Sequence, residues 1–169
     1  EQLASQRSCI IIANHPTLLD VVILMSASPN FQCVVKYQLW NNFFLRGAVS
    51  AAGFIRNDLE TREFVEQCTK VFTNGDNLLI FPEGTRLAPG KKKKFAAGGA
   101  MLANKSGYPA IPVAHNAGSF WARRGLLKRP GVIEVRIGAP IYPEGRSSSE
   151  INQLAEDWID TQMAEIESL

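Results

Sequence analysis

Cysteine and histidine are scarce in this sequence. Its 169 residues include three cysteines, Cys9, Cys33 and Cys68, at wide spacings and without a Cys-x-x-Cys pair. An odd number at such spacings argues against a disulfide framework and against a zinc site, so we expect no metal. Cys9 and Cys33 lie in apolar runs, which predicts two small core residues. A reducing compartment is therefore the expectation.

Long apolar runs are also missing. No segment approaches the roughly 20 residues that a membrane-spanning helix needs, and the first residues show no secretory signal. The sequence begins with Glu1 rather than methionine. We expect a single domain over residues 1–169, and this expectation leaves room for a membrane segment upstream of Glu1.

Neither sign of charge dominates, because the formal net charge is only +2. With 46% hydrophobic and 20% charged residues, the composition is that of a globular domain and argues against disorder and against nucleic-acid binding. The basic residues are locally clustered, as four lysines at 91–94 and as Arg123, Arg124, Lys128 and Arg129. Such clusters are either solvated loops or docking sites for anionic phospholipid.

Short apolar runs alternate with helical segments along the chain. Predicted strands cover residues 9–13, 31–36, 53–55, 77–81, 110–114 and 132–137. Predicted helices cover 18–26, 37–52 with an interruption at Gly47, 59–74, 95–106 and the segment from about 147 onward. This alternation is typical of an α/β fold with a mixed, mostly parallel central sheet covered by helices. In such sheets, sites form beyond the carboxyl ends of the strands.

Two polar turns directly follow predicted strands, NHPTLLD at 14–20 and FPEGTR at 81–86. In the first, His15 is one of two histidines in the chain, and Asp20 follows five residues later. A neutral imidazole is a suitable base for an alcohol, and a carboxylate on its other nitrogen fixes the tautomer and stabilises the imidazolium. Taken alone, the pattern is also compatible with a hydrogen-bonded turn and a helix cap.

The second turn combines a carboxylate, a glycine and a cation. Gly84 permits a positive φ or a close backbone approach. Arg86 offers a bidentate fork that suits a phosphate, and Glu83 is able to accept hydrogen bonds from the hydroxyls of a polyol. A tight turn with a Glu83–Arg86 surface ion pair is the alternative.

Together, the two motifs resemble those of the PlsC-like lysophospholipid and glycerol-phosphate acyltransferase family. Two further segments fit the family's second and fourth blocks, GFIR at 53–56 and AIPV at 110–113. The likeness extends from Asn14 to about Ile141. At the second block the chain departs from the family pattern, because Ile55 rather than an acid precedes Arg56.

The resemblance implies roles for residues in three of these segments. His15 is the expected general base, and Asp20 is its expected partner. The expected substrate-binding residues are Arg56, Glu83, Gly84, Thr85 and Arg86, with Arg56 adding charge for a phosphate.

The implied reaction is direct acyl transfer from acyl-CoA or acyl-carrier protein to a lysophospholipid hydroxyl. The expected acceptor is 1-acylglycerol-3-phosphate, no cofactor is expected, and the expected setting is the cytoplasmic face of a membrane. A different acceptor such as a lyso-aminolipid, a thioesterase reaction with water, and a non-catalytic lipid-binding scaffold are open alternatives. The chain has no G-x-S-x-G elbow, which argues against a covalent acyl-enzyme.

The second histidine and one tryptophan lie just after the fourth block. His115 follows a predicted strand, where a histidine is usually a structural residue. Trp121 precedes Arg123 and Arg124, and this combination is typical of the headgroup level of a membrane. We expect membrane contact at Trp121, and a surface loop with a partly buried ring is the alternative.

Overall fold

The structure, a computed structural model, describes residues 8–17, 19–27, 30–44, 46–121 and 128–168. Its central strands are β1 (Ile10–Ala13), β2 (Phe31–Val35), β3 (Ile55–Arg56), β4 (Asn77–Ile80), β5 (Ala110–His115) and β6 (Val135–Ile137). They form one sheet in the order β3-β2-β4-β1-β5-β6. Neighbouring strands are parallel except β5 and β6, which are antiparallel. The predicted mixed, mostly parallel sheet is confirmed.

Helices connect the strands and cover the sheet. They are α1 (Asp20–Ala27), α2 (Tyr37–Trp40), α3 (Arg46–Ala51), α4 (Thr61–Thr73), α5 (Gly98–Ser106), α6 (Ala117–Phe120) and α7 (Ser148–Glu167). At the start of α7, Ser147 and Glu150 form a capping box that satisfies two backbone donors. In the described part of the chain, none of these helices combines the length and apolar character that crossing a membrane requires.

The predicted interruption of the 37–52 helical segment at Gly47 is wrong, because the chain breaks between α2 and α3 and Gly47 lies within α3. The side-chain oxygen of Asn42 accepts a hydrogen bond from the N–H of Phe44 at 3.0 Å, and this local turn competes with helix continuation. None of the residues of α2 is buried. A helix of this length has little stability without packing on an apolar face.

The two faces of the sheet carry separate cores. Ile10 and Ile12 of β1 point into the first core, which α4, α5 and α7 close, whereas Ile11 points into the second core with Leu24 of α1. All four residues of β1 are buried. A parallel strand covered on both faces needs apolar residues at every position, which explains the continuous apolar run.

Parallel pairing aligns the carboxyl ends of β4, β1 and β5. Ile12 of β1 lies opposite Ile80 of β4 and Pro112 of β5. The chain therefore leaves all three strands on the same side of the sheet, at their carboxyl ends. The two polar turns meet there, and His115 ends β5 at the same place.

Gly138, just after β6, lies against two rings. A Cβ atom at this position would lie 2.7 Å from Pro112 Cγ and 2.9 Å from Trp158 Cε2. We predict that Gly138→Ala lowers the free energy of unfolding by about 1–3 kcal/mol, because neither ring can move without disturbing β5 or α7. Urea unfolding followed by circular dichroism measures this change.

Gly98→Ala is the matched control, since a Cβ atom there meets no atom within 4 Å. Alanine is the better helix former, so this variant should keep or slightly raise the free energy of unfolding. Equal stability of the two variants would contradict the packing argument for Gly138.

Candidate active site

His15 and Asp20 are in direct contact at the start of α1. Nδ1 of His15 lies 2.8 Å from Oδ2 of Asp20, and the same oxygen accepts a hydrogen bond from the N–H of Thr17 at 3.0 Å. The side chain of Asp20 is fully buried, whereas that of His15 is 21% exposed. Pro16, which lacks a backbone N–H and has a fixed φ, lies in the turn between them, and this turn brings the carboxylate back to the ring. The contact expected from the five-residue spacing is confirmed.

Phe81 fixes the plane of the His15 ring. The two rings are stacked, with centroids 4.1 Å apart and an interplanar angle of 18°. Because Asp20 holds Nδ1, Nε2 is the ring nitrogen left for a substrate. His15 therefore presents one potential basic nitrogen in a fixed direction.

The two polar turns are bonded to each other. The N–H of His15 donates to Oε2 of Glu83 at 3.3 Å, and the N–H of Leu87 donates to the carbonyl oxygen of His15 at 3.0 Å. Gly84 has a φ of 63°, a left-handed conformation that glycine adopts without strain. Its N–H donates to the carbonyl oxygen of Phe81. The second turn is thus closed internally and attached to the first at two points.

A cleft of about 1100 Å³ opens at His15. Three residues of the second turn, Gly84, Thr85 and Arg86, line it together with His15. Much of the remaining wall is apolar and comes from Val21, Cys33, Val34, Val35, Leu39, Ile80 and Phe81. A cleft with an apolar wall and a few polar groups beside a potential base suits an amphiphilic ligand.

Glu83 lines a second cleft of about 630 Å³. Its side chain is buried. Burial raises the pKa of Glu83 to about 7, an effect that Asp20 increases and that the N–H of His15 and the charge of Lys93 oppose only in part. The Glu83 carboxyl group therefore changes charge near neutral pH, unlike an ordinary glutamate.

Arg56 has a partner of its own. Its Nη2 and Nε atoms donate to the carboxylate of Asp58 at 2.7 and 3.0 Å, and its guanidinium lies 4.6 Å from the centroid of the Tyr37 ring. The lining of the larger cleft includes the adjacent Asn57 but not Arg56. Arg56 does not join the residues gathered around His15, and its role in binding a phosphate stays a prediction.

The sequence analysis assigned no role in this centre to two residues that contribute to it. Phe81, the first residue of the FPEGTR motif, stacks on His15, a contact that the motif does not predict. His115 is fully buried at the end of β5, with its Nε2 3.7 Å from Oδ1 of Asp20. Its signal is the position after a strand that pairs with β1, which only the sheet order reveals.

The lysine run is attached to the site at two places. Lys92 forms an ion pair with Asp160 of α7. Lys93 Nζ donates to the carbonyl oxygen of Glu83 at 2.7 Å. Two members of this run therefore hold the loop against the protein, while Lys91 and Lys94 are exposed.

The second basic cluster is only partly described. Lys128 Nζ lies 4.1 Å from the centroid of the Trp121 ring, in a cation–π contact. Arg123 and Arg124 lie outside the described residues. Membrane contact at Trp121 stays a prediction.

The three cysteines lie in the interior, as predicted for Cys9 and Cys33. Cys9, Cys33 and Cys68 are all buried, and burial raises the pKa of each thiol to about 12. A thiol that is protonated at neutral pH is a poor nucleophile. This protonation argues against a cysteine-bound acyl intermediate.

A model of the Acyltransferase family matches residues 1–116, a span that includes both polar turns. The chain belongs to the acyltransferase family. This membership agrees with the resemblance found in the sequence, and it covers the part of the chain that builds the His15 centre.

Relatives within the acyltransferase family cover nearly the whole chain. It is 35% identical over 169 residues to a 1-acyl-sn-glycerol-3-phosphate acyltransferase of Pseudomonas aeruginosa, a match that covers 95% of the chain and 66% of the relative. It is 27% identical over 172 residues to the Homo sapiens 1-acyl-sn-glycerol-3-phosphate acyltransferase beta, covering 92% of the chain and 58% of the relative. The chain thus spans two thirds or less of the length of these relatives.

A crystal structure has the same fold. The 1-acyl-sn-glycerophosphate (LPA) acyltransferase PlsC of Thermotoga maritima matches with a TM-score of 0.82 at 23% identity. The match covers 99% of the chain and 69% of that structure. The α/β architecture described above is therefore that of a known acyltransferase.

We predict that Glu83→Gln removes a pH-dependent cost to folding. Because the folded-state pKa of about 7 lies above the ordinary value of 4.5, the native state binds more protons than the unfolded state between these values. The free energy of unfolding therefore falls as the pH rises from 4.5 to 7, and the full cost above pH 7 is on the order of 3 kcal/mol. Urea unfolding at pH 5 and pH 8 should therefore show a more negative change in the free energy of unfolding in the wild type than in the variant. Comparing the two proteins removes the opposite contribution of His115, whose pKa is lowered by burial.

Glu66→Gln provides the control, because Glu66 is 64% exposed on α4. Its pH dependence should match that of the wild type. If Glu83→Gln shows the same fall in stability as the wild type, Glu83 does not carry the pH dependence.

Proposed function

We propose that this chain transfers a fatty acyl group from a thioester to the free hydroxyl of a lysophospholipid, with 1-acylglycerol-3-phosphate as the acceptor. The observation that carries the proposal is the His15 ring, held through Nδ1 at 2.8 Å from buried Asp20 while the ring lines the larger cleft. The relatives from Pseudomonas aeruginosa and Homo sapiens carry this acceptor in their names, which supports the choice.

In the proposed reaction, Nε2 of His15 removes the proton of the acceptor hydroxyl as the hydroxyl oxygen attacks the thioester carbonyl carbon. A C–O bond forms, and the carbonyl oxygen takes the negative charge of a tetrahedral intermediate. Collapse of the intermediate breaks the C–S bond, and the departing thiolate takes the proton from the imidazolium. Asp20 keeps the Nδ1–H tautomer and stabilises the positive charge that His15 carries between the two proton transfers.

The second turn is proposed to bind the polar end of the acceptor. Arg86 lines the same cleft as His15 and offers two parallel N–H donors to a phosphate. Gly84 and Thr85 add a backbone and a hydroxyl group to the same lining. Glu83, which lines the second cleft, is proposed to hold the turn against His15 through the backbone N–H of that residue.

The donor is proposed to be acyl-CoA or acyl-carrier protein, with no cofactor. Both donors carry negative charge, as phosphates in one case and as an acidic surface in the other. Lys91 and Lys94 are exposed beside the loop that Lys93 attaches to the second turn. The reaction is proposed to take place on the cytoplasmic face of a membrane, where the acceptor lipid lies.

We predict that His15→Ala and Asp20→Asn each lower kcat by roughly 100-fold or more, because general-base assistance is lost or misdirected. Thiol release by the purified chain, with each donor and a panel of lysolipids, measures this loss. Circular dichroism should show that both variants stay folded. Lys70→Ala, at an exposed position on α4, should keep the wild-type rate.

The assay separates the competing functions. Thiol release that depends on the lysolipid supports acyl transfer, and its preference within the panel identifies the acceptor. Release that is equally fast without a lysolipid would identify a thioesterase. Wild-type rates in both the His15 and Asp20 variants would sink the mechanism and favour a lipid-binding scaffold.

A further inference from the structure

The segment between α1 and β3 presents apolar side chains to solvent. Phe43 and Phe44 are 90% and 88% exposed, and Tyr37 and Leu39 are 37% and 36% exposed. The two phenylalanine rings contact each other edge to face, with centroids 5.5 Å apart. We call these four side chains the aromatic face. Adjacent phenylalanines at this exposure mark an interaction surface rather than ordinary surface composition.

The chain segment that carries the aromatic face contains only positive charge. From Val21 to Asn57 the sequence contains no aspartate or glutamate, but it contains Lys36, Arg46 and Arg56. Lys36 and Arg46 are exposed, whereas Arg56 is paired with Asp58. Exposed aromatic rings beside Lys36 and Arg46 complement an anionic bilayer surface: rings enter the headgroup level and cations contact lipid phosphates.

The aromatic face is continuous with the cleft that contains His15. Leu39 belongs to the face and also lines that cleft, together with Lys36 and Gln38. A lipid acceptor leaving a bilayer at this face would reach His15 along an apolar wall. Under the proposed function, the substrate therefore enters the cleft on the side of the molecule that carries the aromatic face.

We propose that the aromatic face docks on an anionic phospholipid surface, with Phe43 and Phe44 entering the headgroup level and Arg46 contacting lipid phosphates. This proposal rests on the proposed function, which supplies the reason for a lipid surface, and it adds the place of contact. It differs in place from the contact expected at Trp121. Trp121 follows α6, and Lys128 lies over its ring.

Vesicle sedimentation tests the docking surface. The wild type should bind vesicles of phosphatidylcholine with phosphatidylglycerol more tightly than vesicles of phosphatidylcholine alone, and added salt should weaken the binding. Phe43→Ser/Phe44→Ser should weaken binding by about tenfold or more, since apolar insertion is lost. Arg46→Gln should reduce both the binding and its salt dependence. Val132→Ser is the matched control, because Val132 is 82% exposed and precedes β6, at the sheet edge opposite β3.

Three outcomes overturn the docking surface. If the double variant binds vesicles as tightly as the wild type, the face does not touch lipid. A wild-type dimer that becomes a monomer in the double variant, measured by light scattering, assigns the face to a second copy. A large loss of thermal stability in the double variant assigns it to packing within the chain.

Vesicle binding requires no turnover, so its result is independent of acyl transfer. His15→Ala should bind vesicles like the wild type even though its activity is lost. With a short-chain lysolipid below its micelle concentration, Phe43→Ser/Phe44→Ser should keep the wild-type turnover. A failure of docking and a failure of the proposed reaction are therefore distinguishable.

A second, independent observation concerns the buried side of Asp20. Its Oδ2 serves Nδ1 of His15 and the N–H of Thr17. Its Oδ1 has no hydrogen-bond partner within the described residues. A buried carboxylate oxygen normally accepts a hydrogen bond, because leaving it unpaired is costly.

His115 is the group that faces this oxygen. Its side chain is 0% exposed, and its Nε2 lies 3.7 Å from Oδ1 of Asp20. Neither ring nitrogen has another hydrogen-bond partner in the part of the chain that the structure describes. Asn14 fixes the backbone of His115 from both sides, donating through Nδ2 to its carbonyl oxygen at 2.9 Å and accepting its N–H at 3.0 Å.

We infer that His115 is a positioning residue for the proposed reaction: its Nε2–H closes onto Oδ1 and holds the Asp20 carboxylate in the orientation that serves His15. A movement of about 0.8 Å brings the 3.7 Å separation to a normal N–H···O distance. Burial lowers the pKa of His115, so its ring is neutral and donates without adding a second positive charge beside His15.

Other charged groups also act on this centre. Glu83 lies against the first turn. The pKa of its carboxyl group is lowered by Lys93 of the lysine run and raised by Asp160 of α7. The pKa of His115 is raised by Asp20 and lowered by His15. A pH profile that reports on His115 must therefore be compared between variants that leave these groups in place.

Two substitutions of His115 separate positioning from packing. His115→Leu fills similar volume without a donor, whereas the amide of His115→Gln is able to donate to Oδ1. We expect His115→Leu to lower kcat by about tenfold while both KM values change little. The acid side of its kcat/KM profile should shift to higher pH than in the wild type. Without a donor at position 115, the Asp20 carboxylate stabilises the His15 imidazolium more strongly. His115→Gln should restore most of kcat and the wild-type profile.

Equal impairment of the two variants with a wild-type pH profile would show that His115 only packs, and wild-type kinetics in both would show that the contact has no role. Thermal unfolding identifies a variant that fails to fold. This inference rests on the proposed function, and acyl transfer that depends on His15 in the wild type is the prior check that separates the two failures.

Discussion

Parallel pairing of β1 with β4 on one side and β5 on the other is the constraint on which the site depends. It places the ends of three strands in register, with Ile12 opposite both Ile80 and Pro112. The turn that carries His15, the FPEGTR turn and His115 leave the sheet at one edge because of this alignment. The strands are short, so their hold depends on the two cores that bury β1 on both faces.

The two carboxylates of the centre, Asp20 and Glu83, behave differently because their surroundings differ. Asp20 lies inside the protein, accepts two hydrogen bonds on one oxygen and orients His15. Glu83 accepts a single backbone hydrogen bond from His15, and burial brings its pKa to about 7. The difference follows from hydrogen bonding and burial rather than from the residue type, since both are simple carboxylic acids. A third group, His115, approaches Asp20 from the opposite direction.

The site and the surface of the molecule are connected through the larger cleft. Its polar end carries His15 and Arg86, and its apolar wall reaches Leu39 on α2. Phe43 and Phe44 extend that apolar character onto the exterior. The cleft and the proposed docking surface therefore adjoin each other at Leu39.

The sequence by itself determined the fold class and the approximate strand positions, because these follow from apolar periodicity. The five-residue spacing allowed the contact between His15 and Asp20 but was also compatible with a hydrogen-bonded turn and a helix cap, and the resemblance to a known family favoured the contact. The same resemblance assigned the second turn to the same site. Only the tertiary structure decided that Phe81 stacks on His15, that His115 faces Asp20, and that Arg56 pairs with Asp58. Those contacts depend on strand order and on competition between nearby partners, which local sequence patterns do not encode.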